Sequence, residues 1–237
     1  MNASWSLPAS SAPSPAPVEW PRGFEAEFEV KTGGLKVALT HWRLSAQPGK
    51  RFVYESHTRS AGLASLFRKD SIIERSEGVL VGETLRPLKY RYDRHRGSKR
   101  RLVEIDFDWD HYTAANSLAG RKWKMAIPKG TLDKLSYLLV MMRDLRRGVR
   151  ELRYEIADGG KLKTYHLEMI ATEEVETNLG TFTALGIRRV RDAGTHQGQR
   201  ETILWCAEQL GYFPVKIFHR EPDGNSLEVV LTQAKGL

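Results

Sequence analysis

The sequence has almost none of the residues that build disulfides and metal centres. Cys206 is the one cysteine among 237 residues, so no internal disulfide and no site with several cysteine ligands can form. This rarity suits a reducing cytosol and an envelope protein that avoids stray oxidation equally, so it does not decide the compartment. The longest apolar run, Tyr137–Met142, is far shorter than the roughly 18 residues of a membrane-spanning helix.

Motifs of the common enzyme classes are missing as well. The sequence contains neither of the glycine-rich phosphate loops, GxxxxGK(S/T) and GxGxxG, and no GxSxG nucleophile elbow. Cys206 lies in a predicted strand, where a small buried thiol is a better interpretation than a nucleophile. We therefore expect no enzymatic activity and no cofactor.

Metal and carboxylate sites have little support. None of the seven histidines belongs to an HExxH motif. His166 and Glu168 share one face of a predicted strand, which is more typical of a hydrogen-bonded surface pair than of a metal site. Asp106, Asp108 and Asp110 resemble the carboxylate set of a glycosidase, but an exposed strand face already explains their alternation with apolar residues. We expect no catalytic residues and no metal.

Positive charge is what the sequence has in excess. Lysine and arginine number 37 against 29 acidic residues, a formal charge of +8 that gives some affinity for polyanions. The stretch YDRHRGSKRR, Tyr92–Arg101, holds five of these basic residues and one acid. Motifs of nucleic-acid-binding families are missing, so we expect no specific nucleic-acid partner. A weak polyanion contact would use the arginines of this stretch, which are Arg94, Arg96, Arg100 and Arg101.

The first 22 residues differ in composition from the rest. They are rich in proline, alanine and serine, which predicts a disordered tail or linker, and residues 23–237 are predicted to form a single β-rich domain. No basic region followed by an apolar region is visible, so the sequence shows no signal peptide. Either the protein stays inside the cell or a targeting segment lies upstream.

Alternation of apolar and polar residues dominates the domain. Phe24, Ala26, Phe28 and Val30 alternate with glutamates, which predicts a strand with one wet face. Turn signals at 8–12-residue spacing separate about a dozen such strands, which favours one strongly curved antiparallel meander, a half-barrel or β-spiral. The turn signals are Gly33-Gly34, Pro48-Gly49, Asp158-Gly159-Gly160 and Asp223-Gly224-Asn225.

One segment, near residues 131–147, predicts a helix instead. Thr131 or Asp133 can cap its start, and Gly148 can supply a left-handed end. Tyr137–Met142 is apolar on all sides, so we expect the helix to lie on the concave side of the curved sheet.

The basic stretch has the pattern of a hairpin with Gly97 and Ser98 as its turn. In that register apolar residues face each other on one side and opposite charges on the other. The predicted apolar pairs are Tyr92 with Val103, Tyr90 with Ile105 and Leu88 with Phe107, and the charged pairs are Arg91 with Glu104 and Lys89 with Asp106.

The predicted helix also suggests a ligand site. Its apolar side chains and three tryptophans could line a cavity in the concavity of the sheet. The residues are Trp109, Trp123, Leu135, Leu138, Leu139, Met142 and Trp205. The alternative is that they form the filled core of a structural or partner-binding scaffold, and the sequence leaves both open.

Several short elements, in this order and spacing, resemble a bacterial family of unknown function, domain-of-unknown-function family 3108. The resemblance covers about Phe24 to Gln233. The elements include Ser76-Glu77-Gly78, Leu85-Arg86-Pro87, Phe107-Asp108-Trp109, Asp133-Lys134-Leu135-Ser136, Thr177-Asn178-Leu179-Gly180-Thr181-Phe182, Trp205-Cys206-Ala207 and Pro214-Val215. The positions Ser76, Gly78, Pro87, Asp133, Ser136, Gly180, Trp205 and Pro214 are the ones that carry the match.

This resemblance implies a periplasmic or envelope-anchored protein of Gram-negative bacteria with no established activity. Its architecture is similar to the half-barrels of lipoprotein carriers and sensors of the Lol type. The expected partners are a lipid, a lipoprotein or another envelope protein, bound through an acyl chain or protein surface in the concavity.

Overall fold

The computed structural model describes residues 20–21, 23–46, 51–62, 65, 70–190 and 200–237. The predicted turn at Pro48-Gly49 and nearly all of the predicted tail lie outside these residues. The described part of the chain forms one sheet of 15 strands and one α-helix. No helix within it is long and apolar enough to cross a membrane.

The strands follow the chain as two long meanders. The first comprises β1 (Gly23–Thr32), β2 (Leu35–Ala46), β3 (Arg51–Ser60), β4 (Ser71–Val81), β5 (Thr84–Arg96), β6 (Lys99–Asp108), β7 (Thr113–Leu118) and β8 (Arg121–Ala126). The second comprises β9 (Leu132–Asp133), β10 (Leu152–Asp158), β11 (Lys161–Thr177), β12 (Gly180–Val190), β13 (Glu201–Ala207), β14 (Phe213–Arg220) and β15 (Ser226–Lys235). The helix α1 (Ser136–Arg146) and a short 3-10 helix, Glu208–Leu210, complete the elements.

The two meanders are joined by pairing between the first strand of the chain, β1, and the last, β15. In the sheet the order runs from β8 back to β1, then from β15 back to β9. β1 and β15 are antiparallel, with Val30 opposite Val229 and Ala26 opposite Ala234. All neighbouring pairs are antiparallel except β9 and β10, which are parallel over two residues. The predicted curved, mainly antiparallel sheet is confirmed, with more strands than the dozen expected.

One face of the sheet, the inner face, carries the core. Phe24, Phe28, Trp42, Tyr54 and Phe213 form an aromatic cluster whose neighbouring ring centroids lie 4.6 to 6.0 Å apart. All five side chains are buried. Burying each such ring contributes roughly 1.5–3 kcal/mol relative to leaving it in water, so this cluster stabilises the centre of the sheet. The other face, the outer face, carries charged residues such as Glu25 and Arg43, which are paired at 3.3 Å.

Helix α1 packs on the inner face, as predicted, but it begins later than expected. Leu132 and Asp133 lie beside Ile156 and Ala157 in the two-residue strand β9, so the backbone becomes helical only at Ser136. The helix ends as predicted: Gly148 has φ of 73°, and its N–H donates to the Leu145 carbonyl. Its buried residues, from Leu138 to Leu145, join the central core.

The sheet stays open between its edge strands β8 and β9, which are adjacent in sequence. Side chains bridge part of this opening. The Trp123 Nε1–H of β8 donates to the Gly160 carbonyl, in the turn between β10 and β11, at 3.1 Å. A Cβ atom at Gly160 would overlap the indole ring, so this close approach requires glycine.

The β5–β6 hairpin has the predicted register from its turn to Lys89 opposite Asp106. Tyr90 faces Ile105, Tyr92 faces Val103 and Arg91 faces Glu104. The last predicted pair is not part of this ladder. Leu88 lies at a bulge in the pairing of β5 with β4, and Phe107 faces Ala114 of β7.

Candidate functional site

Three of the positions that carried the family resemblance meet in one buried hydrogen-bond network. Asp133, at the start of the turn before α1, accepts bonds at Oδ1 from the backbone N–H of Leu135 at 2.8 Å and of Ser136 at 2.9 Å. The Ser76 hydroxyl of β4 donates to Asp133 Oδ2 at 2.6 Å. The Asp133 N–H donates in turn to the Ser136 hydroxyl at 2.9 Å. This network ties the start of α1 to the inner face of the sheet.

The network is structural in character. Asp133 has no exposed surface, and burial raises the pKa of its carboxyl against the opposing effect of its hydrogen bonds. Because both oxygens already accept bonds from the protein, the carboxyl is occupied in positioning α1.

The remaining positions of the resemblance shape the sheet. Gly78 faces Pro87 beside the β4–β5 bulge, and a Cβ at Gly78 would lie 2.5 Å from the Phe52 ring. Gly180 opens β12 with φ of 118°, and Pro214 of β14 faces Cys206 of β13. Trp205 is buried, and its Nε1–H donates to Glu173 at 3.1 Å.

Of the seven residues predicted to line an apolar cavity, Leu135, Leu138, Leu139, Met142 and Trp205 belong to the buried core, and Trp109 packs against it. Leu135, Leu138 and Leu139 are buried in the central core. Trp109 stacks on Phe107 and donates to the Pro87 carbonyl at 2.7 Å. Trp123 contacts Gly160, Trp205 contacts Glu173, and Met142 lines a cleft at the end of α1. Most of these side chains are therefore part of the core beneath α1.

The cleft that includes Met142, here the apolar cleft, lies beside the C-terminal half of α1. Its volume is about 200 Å³. Phe24, Met142, Leu210 and Leu237 provide apolar walls, and Arg146 adds a cationic group. Burial, together with the neighbouring charge of Arg143, lowers the pKa of Arg146. The cleft is thus amphipathic.

A second cleft, here the polar cleft, lies near the other end of α1. Its volume is about 160 Å³, and its lining includes Tyr90, Tyr92, Arg101, Lys134 and Asp158. The Lys134 ammonium donates to Glu74 at 2.9 Å and lies 5.2 Å from the centre of the Tyr92 ring. Glu74, first among several causes, raises the pKa of Lys134, so this lysine is a cation throughout the physiological range.

The four arginines predicted to contact polyanions fall into different environments. Arg100 donates through Nε and Nη2 to Asp93 at 2.8 and 2.6 Å on the outer face, which lowers the pKa of Asp93. Arg96 lies 3.8 Å from Asp70. Arg94 and Arg101 face each other across the hairpin.

The ion pairs of two charged residues, Asp93 and Lys134, were not predicted from the sequence. Asp93 binds both Arg91 and Arg100, and the Arg100 contact is diagonal across the hairpin rather than directly opposite. Lys134 reaches Glu74, 60 positions away in the sequence. Asp93 is the lone acid inside the basic stretch, and this position could have indicated its ion pairs. No local pattern indicated the contact between Lys134 and Glu74.

A third cleft, of about 380 Å³, lies at the β2–β4 region and includes His41, His57 and Ile73. His41 and His57 face each other across β2 and β3. Within the described ranges, no group of three or more His, Cys, Asp or Glu residues is placed to hold a metal ion.

The thiol of Cys206 is fully buried, and burial raises its pKa. We therefore expect iodoacetamide to leave the folded protein unmodified at pH 8 and to alkylate the urea-unfolded protein fully. Mass spectrometry of both samples would check this. Rapid alkylation of the folded protein would show that β13 opens readily.

The comparisons with known proteins bear on this geometry. A family model described as "Protein of unknown function (DUF3108)" matches residues 27–232. The chain belongs to the DUF3108 family. The sequence matches no curated protein. The positions of the DUF3108 resemblance thus include a buried anchor for α1, formed by Ser76, Asp133 and Ser136.

Two solved structures are similar to this DUF3108 chain. One is a beta-barrel-like protein of domain of unknown function DUF1849 from Brucella abortus, with a TM-score of 0.59 and 7% identity over 90% of this chain and 97% of that chain. The other is described as a "putative lipoprotein" from Parabacteroides distasonis, with a TM-score of 0.36 and 8% identity over 91% of this chain and 97% of that chain. The first likeness shows a shared barrel-like fold.

Proposed function

We propose that this DUF3108 protein is a non-enzymatic binding protein of the cell envelope that holds the end of an anionic acyl chain in the apolar cleft. The observation that carries the proposal is the combination of Phe24, Met142 and Leu210 with Arg146 around one opening. An apolar tail would contact the first three, and a carboxylate at the tail's end would lie beside the Arg146 guanidinium at the rim of the cleft. The envelope location rests on the family resemblance and the composition of residues 1–22.

The size of the apolar cleft limits what it can accept. Its volume of about 200 Å³ exceeds the ~150 Å³ cavity that is known to accept benzene in an engineered protein. That space accommodates a short chain or the terminal part of a longer one, with the remainder in solvent. We therefore expect a medium-chain fatty acid to bind as well as a long one.

A fluorescence titration tests this proposal. Dansyl-labelled undecanoic acid should bind saturably, decanoate should displace it, and decanol should displace it less well because it lacks the charge. Leu210 is half-buried and forms part of the wall of the cleft. In the Leu210→Arg variant we expect at least about a tenfold loss of affinity, because the longer, charged side chain would occupy the space of the ligand.

The matched control is Leu179→Arg, which places the same side chain at an exposed turn between β11 and β12. This variant should bind the probe as the unsubstituted protein does. Circular dichroism of both variants would show that each is folded. Equal affinities for the two variants, or no saturable binding by the unsubstituted protein, would overturn the proposal and favour a filled scaffold that binds partners on its surface.

A further inference from the structure

Arg94 and Arg101, on the inner face of the β5–β6 hairpin, have no acidic partner among the residues that the structure describes. Arg94 and Arg101 are direct cross-strand neighbours. Like charges directly opposite each other destabilise a sheet. Within the described residues, no carboxylate lies within 4.0 Å of either guanidinium, although the other basic residues of the hairpin include ion-paired examples at Lys89, Arg91 and Arg100.

One member of this pair, Arg101, lines the polar cleft, and Arg94 lies directly across the hairpin from it. Tyr92 and Lys134 line the cleft as well. Two cationic groups, Arg101 of β6 and Lys134 of the turn before α1, thus line the cleft, and Arg94 of β5 is the cross-strand neighbour of the first. Such convergence from separate elements differs from a run of solvated charges along one strand.

The acidic groups around the polar cleft are already neutralised. Glu74 accepts hydrogen bonds from Lys134 at 2.9 Å and from the Tyr90 hydroxyl at 2.8 Å. Asp158 accepts from Lys163 at 2.7 Å and from the Tyr165 hydroxyl at 3.1 Å. Because Lys134 and Lys163 pair with these two carboxylates, neither carboxylate compensates the charge of Arg101 or of its cross-strand neighbour Arg94.

We infer that the polar cleft binds a phosphate group, with Arg101 as its principal ligand, Arg94 as a second guanidinium from across the hairpin, and Lys134 as a hydrogen-bond donor through an N–H that does not bind Glu74. Guanidinium groups match the oxygens of phosphate in pairs, and charge-assisted bonds of this kind are among the strongest in proteins. The cleft has a volume of about 160 Å³, which suits a phosphate with a short attachment. A whole nucleotide would extend beyond it.

The two phosphate sources with this chemistry are a soluble phosphomonoester and the headgroup of an anionic phospholipid. The inference is independent of the proposed function, since the apolar cleft lies by the C-terminal half of α1 and shares no lining residue with the polar cleft.

Isothermal titration calorimetry tests the site: inorganic phosphate is titrated into the protein at low ionic strength, and the heat of binding is measured. We expect saturable binding that the double variant Arg94→Gln/Arg101→Gln weakens at least about tenfold. The matched control is Arg43→Gln/Lys89→Gln, which removes two positive charges from exposed outer-face positions. This control should bind phosphate as the unsubstituted protein does.

A second arm separates the two sources. Vesicles of phosphatidylcholine with and without phosphatidylglycerol are sedimented with the protein and with both double variants. Phosphatidylglycerol-dependent binding that only Arg94→Gln/Arg101→Gln weakens identifies a lipid headgroup, whereas phosphate binding without vesicle binding identifies a soluble phosphomonoester.

The inference fails under two results. The first is an absence of saturable phosphate binding together with an absence of selective vesicle binding. The second is an equal loss of binding in the two double variants, because that would reflect net charge rather than a site. Thermal unfolding of both variants shows whether any loss arises from misfolding.

Discussion

Asp133→Ala should destabilise the protein by roughly 3–5 kcal/mol, given a cost of ~1–3 kcal/mol for each buried polar group left without a partner. The substitution removes the acceptor of the Leu135 and Ser136 N–H groups and of the Ser76 hydroxyl, all in a buried setting. The start of α1 would lose its connection to β4. Urea unfolding, followed by tryptophan fluorescence, measures the change.

Asp133→Asn should be much milder, with a loss of about 1 kcal/mol. The amide oxygen can still accept the two backbone N–H bonds, and its NH₂ group can donate to Ser76, whose hydroxyl accepts as readily as it donates. Because burial raises the pKa of Asp133, the wild-type carboxyl costs stability as the pH rises from its ordinary value of 3.8 towards the folded value. The asparagine variant should lack this contribution.

Asp108→Ala provides the matched control for this experiment. Asp108 also accepts backbone N–H bonds, from Asp110 and His111, but it lies at an exposed turn. Water can replace a carboxylate there, so we expect a loss of no more than about 1 kcal/mol. If Asp133→Ala and Asp108→Ala proved equally mild, the buried network would not be what holds α1.

Gly78→Ala is the second substitution with a large expected effect, roughly 3 kcal/mol or more, at the upper end of overpacking costs. A methyl group there would overlap the Arg86 carbonyl oxygen and the Phe52 ring. Phe52 is buried among the core rings, and the carbonyl belongs to the backbone of β5, so neither can move aside without disturbing the sheet. The free energy of unfolding in urea again gives the measurement.

Gly82→Ala separates steric overlap from backbone strain. Gly82 has φ of 55° and open space around its Cα, so alanine costs only the left-handed conformation, about 1–2 kcal/mol. Gly78 has no such positive φ, and its whole cost is steric. A Gly78→Ala loss no greater than that of Gly82→Ala would contradict the close packing of β4, β5 and Phe52.

The register of the β5–β6 hairpin could be predicted because its information is local. A strand repeats every two residues, so a slip by one would place Tyr90 and Tyr92 opposite Glu104 and other polar groups. The observed ladder accordingly pairs Tyr90 with Ile105 and Tyr92 with Val103.

Features that depend on distant parts of the chain could not be predicted in this way. The late start of α1 depends on the pairing of Leu132 with Ile156 of β10. The bonds from Ser76 to Asp133 and from Lys134 to Glu74 join positions about 60 residues apart. Local propensity cannot predict contacts between residues so far apart in the sequence. The order of short motifs in the family resemblance did indicate Ser76, Asp133 and Ser136, but it did not show that these residues are in contact.

The residues predicted to form functional sites likewise include features that the sequence could predict and features that it could not. Apolar periodicity predicted that Leu138, Leu139 and Met142 face inward, but it could not distinguish a filled core from a cavity. The separation of Arg94 and Arg101 from Arg100 follows from strand alternation, because residues an odd number apart along a strand lie on opposite faces. Assigning each arginine to a face of its strand, instead of counting the charges of the whole stretch, would have distinguished them from the sequence alone.

The pairing of β1 with β15 has a consequence for biosynthesis. Ribosomes add about 5–20 residues per second, so some 10–40 seconds separate the emergence of these two strands. During that interval β1 can pair with β2 on one side, while its other edge waits for a partner about 200 positions further along the chain. An unpaired edge of that kind readily recruits strands of other chains. Yield of native protein should therefore depend on how well the cell shields the nascent N-terminal half until the last strand is made.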